Sequence, residues 1–334
     1  MQAIRFHAHG GPEQLRVETI PTPAPAAHEV LLRIRAVSLN GFDPMVLRGI
    51  PGLPTPRPMI PCGDCAGEIV ALGADVDATR WHIGDRVSVM PIMPGLGVMG
   101  ETQPGVAAQF RTVPQSALLR LPDTVSDHQA ACLPTAFGTA MRMLATRARL
   151  TRGERVLILG AAGGVGTACV QIARHLGAEV LACTDRPDAV PALRALGADD
   201  VIVSGDAGFA TEVIRRAGKP SIWGGGGVDV VVDFLGGDTW AQSLACVGRG
   251  GRIVTCGASA GPAVTTDLRY VWSFEIEIIG SNGWTMQDQA RVIDLVATGG
   301  ITPLIHSVRP LSAYADALRD FMNRGVIGKS VLEP

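Results

Sequence analysis

Three glycines, Gly160, Gly163 and Gly166, stand three residues apart directly after the apolar run 156–159. The residues after Gly166 have helical composition, so the segment predicts a strand, a tight turn and a helix. Because glycine has no Cβ, backbone N–H groups of such a turn can approach a pyrophosphate, and the helix N-terminus favours negative charge. The spacing predicts a dinucleotide-binding turn; the alternative is a glycine turn that only packs a helix against a strand.

The segments around this turn repeat the order of strand and helix. A second apolar strand is predicted at 179–183 and a second helix at 189–196. Further strands are predicted at 201–203, 228–233, 252–256 and 276–279. Nearly continuous apolar strands are typical of a parallel sheet covered on both faces. We therefore expect an α/β fold with a doubly wound parallel sheet.

The first third of the chain has a different pattern, with prolines and glycines between short alternating runs such as 29–37 and 67–73. Such runs predict short strands joined by turns, and so a β-rich domain. The C-terminal segment lacks regular alternation of strand and helix, and we expect it to rejoin this domain. The predicted domains are 1–127 with 284–334, and 128–283.

The composition restricts the class of protein. The chain has 334 residues, of which 47% are hydrophobic and 18% charged, with a net charge of -2. This length exceeds the roughly 250–300 residues at which single cores stop growing, so two domains are expected. The interspersed charges provide no field for nucleic acid or an anionic membrane, and no apolar run reaches the ~18 residues of a membrane span. A cytoplasmic location is the default expectation.

Seven cysteines lie mostly in apolar segments, and their odd number in a long chain argues against a disulfide framework. Cys62 and Cys65 have a spacing that metal and redox sites also use. No second such pair or nearby histidine pair completes a tetrahedral set of ligands. We expect these two thiols to fill the core.

Several short segments carry a family signature when they are taken together. They are Gly11-Pro12, Asn40-Gly41-Phe42-Asp43, Gly63-Asp64-Cys65-Ala66-Gly67, Trp81-His82-Ile83-Gly84-Asp85-Arg86-Val87, the turn 160–166, Val230-Val231-Val232-Asp233, Gly250-Gly251-Arg252-Ile253-Val254 and Gly328-Lys329. In this order and spacing, the whole chain resembles the medium-chain dehydrogenase/reductase superfamily, and most closely its zinc-independent quinone oxidoreductase-like branch. The resemblance implies a Rossmann domain beside a β-rich GroES-like barrel domain, and an NAD(P)H-dependent oxidoreductase.

The resemblance also makes the zinc-ligand positions readable. Zinc-dependent relatives have a Cys where this chain has Asn40, a His-Glu pair at Gly63 and Asp64, and a Cys or Asp where we align Thr135. Asn40, Gly63 and Thr135 offer neither the thiolate nor the imidazole that zinc prefers. The segment 90–110 also lacks the four cysteines of the family's structural zinc lobe. We expect no metal, although Asp64 adjoins a lost ligand position.

Without a Lewis acid, reduction of a simple ketone requires other oxyanion stabilisation, about 2.7–4 kcal/mol per well-placed donor. Reduction of a quinone or an enone requires less oxyanion stabilisation, because conjugation in the acceptor spreads the charge of the added hydride. Asn40 and Thr135 are the candidate catalytic donors and are also candidates for holding the nicotinamide. The alternative is that Asn40 caps a turn and Thr135 packs a helix start. Asp43 is expected to have a structural role.

Cofactor preference is set at the end of the second strand of such sheets. An acidic residue there accepts from the 2′-hydroxyl of NADH, whereas an Arg or small hydroxyls favour the 2′-phosphate of NADPH. Thr184 and Arg186 favour NADPH, and Asp185 favours NADH. We expect NADPH, with NADH as the alternative.

The family pattern assigns further cofactor-binding residues. Phe234 and Leu235 are expected beside the nicotinamide ribose, and Asn282 and Lys329 are expected to close the binding cleft. The full expected set is Asn40, Thr135, Thr139, Ala162, Gly163, Gly164, Val165, Thr184, Asp185, Arg186, Phe234, Leu235, Gly257, Ala258, Ser259, Asn282 and Lys329.

The resemblance implies hydride transfer from NADPH to a small apolar quinone or α,β-unsaturated carbonyl. Two alternatives stay open: a dehydrogenase or reductase of an alcohol, ketone or biosynthetic intermediate, and a non-catalytic dinucleotide-binding protein like the family's crystallins. A homodimer is expected through the edge strand 276–279, which would otherwise invite aggregation. Burial of that strand within one subunit is the alternative.

Overall fold

The computed structural model describes residues 1–205 and 208–334. Its strands are β1 (Gln2–Arg5), β2 (Arg16–Thr19), β3 (Glu29–Ser38), β4 (Asp64–Leu72), β5 (Arg86–Val89), β6 (Ile92–Met93), β7 (Gly97–Val98), β8 (Phe110–Pro114), β9 (Leu118–Arg120), β10 (Arg155–Ile158), β11 (Glu179–Thr184), β12 (Asp200–Val203), β13 (Val228–Val232), β14 (Val247–Thr255), β15 (Glu277–Gly280), β16 (Ile305–Pro310) and β17 (Lys329–Glu333). Its α-helices are α1 (Asp43–Arg48), α2 (Asp127–Cys132), α3 (Thr139–Met141), α4 (Gly164–His175), α5 (Val190–Ala195), α6 (Ala210–Ala217), α7 (Thr239–Cys246), α8 (Leu268–Ser273), α9 (Met286–Ala297) and α10 (Tyr314–Met322).

The chain forms two compact units. The split unit combines Met1–Ala136 with Met286–Pro334, and the central unit is Phe137–Thr285. Within the described residues, no helix combines the length and the apolar character that crossing a membrane requires. The domain boundaries predicted from the sequence, at 127 and 283, stay a prediction.

The central unit is built on six parallel strands in the order β12-β11-β10-β13-β14-β15. The first strand in sequence, β10, lies inside the sheet, and successive strands extend outward from it on both sides. The middle residues Leu157, Val231 and Ile253 are fully buried in one apolar core. This is the doubly wound arrangement, which confirms the parallel sheet predicted from the apolar strands.

The split unit is built on a mostly antiparallel sheet in the order β16-β17-β3-β4-β5-β9, with β8 also paired to β3. Strand β16 was not predicted, because its aliphatic residues Ile305 and Val308 do not alternate in sequence and Pro310 disfavours a strand. In the antiparallel pair of β17 and β3, Val331 lies opposite Ser38 and Leu332 opposite Val37. This register brings Lys329, at the start of β17, to the residues that follow β3.

A helical segment covers 127–147, close to the helix predicted from Ser126 to Leu150. Ser126 accepts from the N–H of Gln129, whose side chain reaches back to the Ser126 N–H, so a capping box fixes the start. The segment is π-helical at Leu133–Gly138 and again at Arg142–Arg147. Such turns replace the regular α-helical hydrogen-bond pattern with a wider one, and they are frequent at functional sites.

Candidate active site

A buried carboxylate, Asp64, is the centre of a polar network in the split unit. Its Oδ2 atom accepts from Asn40 Nδ2 at 2.8 Å, and its Oδ1 atom accepts from the Thr135 hydroxyl at 2.7 Å. The backbone N–H of Thr135 donates to Asp64 Oδ2 at 3.0 Å. Asp64 has no solvent exposure. The structure therefore brings together Asn40 and Thr135, which the sequence assigned as catalytic candidates.

Local backbone geometry explains why these groups meet. Asp64 is the first residue of β4, and Thr135 lies in the first π-helical turn, where its N–H is free to donate to Asp64. The sequence did not identify Asp64 as the residue that the other members of this network contact. Its position beside the lost zinc ligand at Gly63 was the available signal.

Lys329 supplies the positive charge of this network. Its ammonium donates to the carbonyl oxygen of Leu39 at 2.6 Å and to Asn40 Oδ1, and it lies 3.9 Å from Asp64 Oδ2. Lys329 is 2% exposed. Sequence reasoning expected this side chain to close a cofactor cleft. That role stays a prediction; the contacts in the structure orient the Asn40 amide, with Oδ1 toward the ammonium and Nδ2 toward the carboxylate.

The side-chain hydrogens of Asn40 and Thr135 are all engaged within the split unit. The Asn40 amide group donates to Asp64 and, at 3.4 Å, to the Ser38 carbonyl oxygen, while the Thr135 hydroxyl hydrogen goes to Asp64. The oxygen of Thr135 keeps lone pairs, and this side chain is half-buried. In this geometry, Thr135 can accept a hydrogen bond from a bound group, and Asn40 acts through its neighbours.

Burial controls the titration of the surrounding acids. It raises the pKa of Asp43 to about 7, although the Asn40 N–H donates to Asp43 at 2.8 Å. Burial also raises the pKa of Asp64, opposed by the charge of Lys329 and by its hydrogen-bond donors. The thiol of Cys62 donates to the Ser38 carbonyl oxygen at 3.2 Å, and burial raises its pKa. These groups thus form a compact acid cluster with one cation.

The residues at the zinc-ligand positions do not fit a catalytic zinc site. A Cβ atom on Gly63 would lie 2.8 Å from the Met99 carbonyl oxygen, so a histidine there would require the backbone to move. The oxygens of Asp64 already accept four hydrogen bonds from Asn40 and Thr135. Among residues 1–205 and 208–334, no group of three His, Cys, Asp or Glu side chains could hold a metal ion.

All seven cysteines are free thiols in the structure. Cys62 and Cys65 are fully buried, and Cys62 has a positive φ of 70°. They pack as apolar side chains, as expected from their segments.

The glycine turn of the central unit presents backbone groups rather than side chains. Gly160 has a φ of 61°, and a Cβ on Gly166 would lie 2.2 Å from the Gly160 carbonyl oxygen. Among the residues that the structure describes, no side chain caps the N-terminus of α4 after Gly163. Since the first N–H groups of a helix lack partners within it, this terminus suits the phosphates of a dinucleotide. Ala162 is buried under the turn, and Gly164 and Val165 form the first helical residues.

The end of β11 carries the residues expected to select the cofactor. Thr184 is buried, and its hydroxyl oxygen accepts from the Arg186 N–H at 3.1 Å. Asp185 is exposed and Arg186 is half-buried. The guanidinium of Arg186 donates to Asp188 at 3.1 Å, and this contact lowers the pKa of Asp188. Sequence reasoning missed Asp188, which competes with any anion for Arg186.

The loops after β13 and β14 meet at the same edge of the sheet. Phe234 and Leu235 lie against Gly160, where a Cβ would be 3.2–3.3 Å from their side chains. The Ser259 N–H donates to the Phe234 carbonyl oxygen at 3.2 Å, and Gly257 and Ala258 are exposed beside it.

Asp233 holds the first of these loops and was missed as a site residue. It accepts from the N–H groups of Leu235 and Gly236 at 3.0 Å and from Ser243 at 2.7 Å. An aspartate directly after an apolar strand was the available signal.

The remaining expected cofactor residues lie elsewhere in the central unit. Asn282 is exposed after β15, at the carboxyl edge of the sheet. Thr139 is buried at the start of α3. Trp284 is also buried, and a Cβ on Gly138 would lie 2.5 Å from its ring. Gly138 therefore allows the indole to pack against the helix.

Comparison with known proteins extends this geometry. Residues 26–123 match the alcohol dehydrogenase GroES-like domain, and residues 164–298 match the zinc-binding dehydrogenase family. The quinone oxidoreductase of Rattus norvegicus is 30% identical over 99% of this chain and 97% of its own length. The quinone oxidoreductase of Pseudomonas aeruginosa is 32% identical over 99% of both chains.

Solved structures agree with these matches. A cobalt- and zinc-bound thermostable alcohol dehydrogenase from Pyrobaculum aerophilum has a TM-score of 0.88 and 30% identity, over 100% of this chain and 99% of its own. The family thus includes metal-bound members with this fold. The predicted combination of a GroES-like domain and a parallel-sheet Rossmann domain is confirmed.

The two family matches cover both units of this chain, and the glycine turn lies where a nicotinamide dinucleotide is bound in such folds. The chain therefore belongs to the medium-chain dehydrogenase/reductase superfamily, in its quinone oxidoreductase-like branch, and is an NAD(P)H-dependent oxidoreductase of a small molecule.

Proposed function

We propose that this protein is an NADPH-dependent, zinc-independent reductase of a quinone or an α,β-unsaturated carbonyl. The observation that carries the proposal is the network of Asn40, Asp64, Thr135 and Lys329, which fills the zinc-ligand positions with groups that bond to one another. The quinone oxidoreductases at 30–32% identity support the choice of acceptor.

The chemistry of the acceptor follows from the charges on these residues. The bound cofactor, when reduced, supplies a hydride. The ammonium of Lys329 is a single positive charge and is already engaged by Leu39, Asn40 and Asp64. It therefore polarises a simple carbonyl far less than a directly coordinated dication would. A conjugated acceptor requires less polarisation, because its own π-system delocalises the charge.

We propose that Asn40 and Thr135 act on the reacting groups in different ways. Thr135 Oγ1 accepts a hydrogen bond from a bound group, since its own hydrogen is held by Asp64. Asn40 is a positioning residue that links the ammonium of Lys329 to the Asp64 carboxylate. Lys329 is thus assigned to this network as well as to the expected cofactor set.

The preference for NADPH is supported by Arg186 and Thr184 at the end of β11. The exposed carboxylate of Asp185 is the group that would favour NADH. A 2′-phosphate would take over the Arg186 guanidinium from Asp188, exchanging one charge-assisted contact for another.

A homodimer is proposed through β15. This strand is at the edge of the parallel sheet, and Ile278 is 44% exposed. Pairing with the same strand of a second copy would satisfy the open backbone groups and cover this side chain. Sedimentation should show a dimer, and Ile278→Lys should shift it toward monomer. A wild-type monomer at micromolar concentration would refute the assembly.

We also propose a cytoplasmic location.

The proposed reaction is tested by following the loss of reduced-nicotinamide absorbance with NADPH and NADH separately. The acceptors are quinones, enals, enones and simple ketones, each with and without a chelator. We expect chelator-resistant oxidation of NADPH by quinones or enones. Activity confined to ketones and lost on chelation would refute the proposal, and tight cofactor binding without turnover would indicate a non-catalytic protein.

A further inference from the structure

We propose that Glu101 is the general acid that protonates the reduced acceptor. This inference rests on the proposed reduction of conjugated carbonyls, which requires a proton as well as a hydride. The hydrogens of Asn40 and Thr135 are held by Asp64 and by the Ser38 carbonyl oxygen. Neither side chain is therefore free to supply the proton.

Backbone packing places the loop that carries Glu101 against the segment that leads into Asp64. A Cβ on Gly100 would lie 2.6 Å from the Cys62 carbonyl carbon and 2.9 Å from the Gly63 nitrogen. The N–H of Val106 donates to the Cys62 carbonyl oxygen at 2.9 Å, so the chain on both sides of Glu101 runs along this segment. Asp64 is the residue directly after Gly63. Gly63 and Gly100 allow this close approach of the two backbone segments, which a side chain at either position would prevent.

The carboxyl group of Glu101 is half-buried, and no other described residue forms a hydrogen bond or an ion pair with it. The other acids here are engaged: Asp43 accepts from the Asn40 N–H, and Asp64 accepts from Asn40 and Thr135. A half-buried acid without a partner is unfavourable for stability, which points to a function at the site.

Its surroundings keep this acid protonated near neutrality. Burial raises the pKa of Glu101 to about 7. Asp43 is the titratable group whose charge is felt together with that of Glu101, and the cation Lys329 donates to Asn40 and lies 3.9 Å from Asp64. Asp43 is less suited to repeated proton transfer, because it is 8% exposed and cannot exchange readily with water. Glu101 retains access to solvent.

The proposed step balances as follows. An enone takes the hydride at its β-carbon, and the electron pair of its C=C bond moves to oxygen as an enolate. The O–H bond of Glu101 then breaks, and its proton forms a C–H bond at the α-carbon while the carbonyl re-forms. Glu101 leaves the step as a carboxylate and regains a proton from water. The acceptor is reduced by two electrons, and the cofactor is oxidised by two.

Acceptors that differ in their need for a proton provide the test. A quinone that takes a hydride becomes a hydroquinone anion, which is a weak base, whereas an enolate is a strong one. Glu101→Gln should lower kcat for enones by about 10²- to 10³-fold, and for quinones by no more than about fivefold. Glu101→Asp, which keeps an acid, should restore part of the loss. The matched control is Glu13→Gln at an exposed position, and it should change neither rate.

Equal enone rates in Glu101→Gln and the wild type would overturn the assignment, and so would an equal loss with quinones and enones. If the wild type reduces only quinones, Glu101 has no proton to deliver and the assignment fails alone. If it reduces only simple ketones, the proposed function fails. The role of Glu101 as proton donor is still tested in that case. The alkoxide formed from a ketone also requires a proton, so Glu101→Gln must lose ketone-reducing activity.

An infrared titration gives a readout without turnover. The wild type should show protonated carboxyl absorbance that disappears between about pH 6 and pH 8, from Glu101 and Asp43 together; Glu101→Gln should lose the Glu101 share and keep the share that Asp43→Asn removes. Identical spectra for the two proteins would overturn the assignment even if no acceptor is reduced.

Discussion

In the central unit, the glycine turn leaves backbone N–H groups open, whereas in the split unit the polar side chains satisfy one another. Gly160, Gly163 and Gly166 offer no side chain, and the site requires an external anion to occupy it. The Asp64 carboxylate instead has an internal cation, Lys329, and three donors. The first arrangement suits a charged ligand, whereas in the second the charges of Asp64 and Lys329 lie together within the protein.

The largest effect is expected from closing the glycine turn. In Gly166→Ala, the new Cβ would lie 2.2 Å from the Gly160 carbonyl oxygen and 2.6 Å from the Ala161 Cα, both backbone atoms. We expect a loss of about 3 kcal/mol or more in the free energy of unfolding, together with loss of cofactor binding. Chemical denaturation and fluorescence titration with NADPH measure these two effects.

Gly163→Ala is the matched control in the same turn. Its Cβ would lie 3.5 Å from the Gly160 carbonyl oxygen, and Gly163 has a negative φ of -77°. We expect its stability to stay within about 1 kcal/mol of the wild type. Equal destabilisation by the two substitutions would mean that the close approach at Gly166 does not define the turn.

The next effect tests the internal cation of the split unit. Lys329→Met removes the ammonium beside the buried Asp64 and should lower stability by about 3–5 kcal/mol. The chain has only one other lysine, Lys219, so Lys219→Met is a natural control. Adding Asp64→Asn to Lys329→Met should recover part of the loss. A Lys329→Met protein as stable as the control, in urea unfolding at pH 7, would show that the charges are not coupled.

The next prediction concerns the preference for NADPH over NADH, where we expect a smaller change in free energy than in the two stability tests. Arg186→Ala should weaken NADPH binding by about 10- to 100-fold, because a hydrogen bond to a charged group contributes about 1.5–3 kcal/mol. NADH binding should not change. Asp188→Asn should strengthen NADPH binding, since it removes the competitor for the guanidinium. The dissociation constants of each variant for NADPH and NADH test this prediction. An equal change in both constants would exclude contact between Arg186 and the 2′-phosphate.

The smallest effect concerns the pH dependence of stability. The pKa of Asp43 in the folded protein is about 7, above its ordinary value of 3.8. The folded state therefore holds this proton more tightly, and its contribution to stability is complete below about pH 4 and is lost as the pH rises to 7. Asp43→Asn should flatten the fall of Tm between pH 5 and pH 8 by a few degrees, as about 1 kcal/mol corresponds to roughly 2–4 °C. Parallel curves for variant and wild type in thermal scans would contradict this reasoning.

The glycine turn and the parallel sheet were predictable because their signals are local: apolar strands, and glycine where backbones meet. The network in the split unit was predictable only in part. Asn40 and Thr135 came from the resemblance, but the contact of Lys329 with Leu39 joins residues 290 positions apart through strand register. Glu101, the first charge in an apolar loop, was visible in the sequence, but its lack of a partner is a property of the packing.

The zinc content of the active protein is the most direct test of the central claim that the network replaces the metal. The protein would be produced with excess zinc, analysed by mass spectrometry for metal, and assayed with NADPH and a quinone before and after dialysis against chelator. We predict far less than one zinc per chain and the same specific activity in both samples. One zinc per chain, with activity that is lost on chelation and restored by zinc, would contradict the proposal.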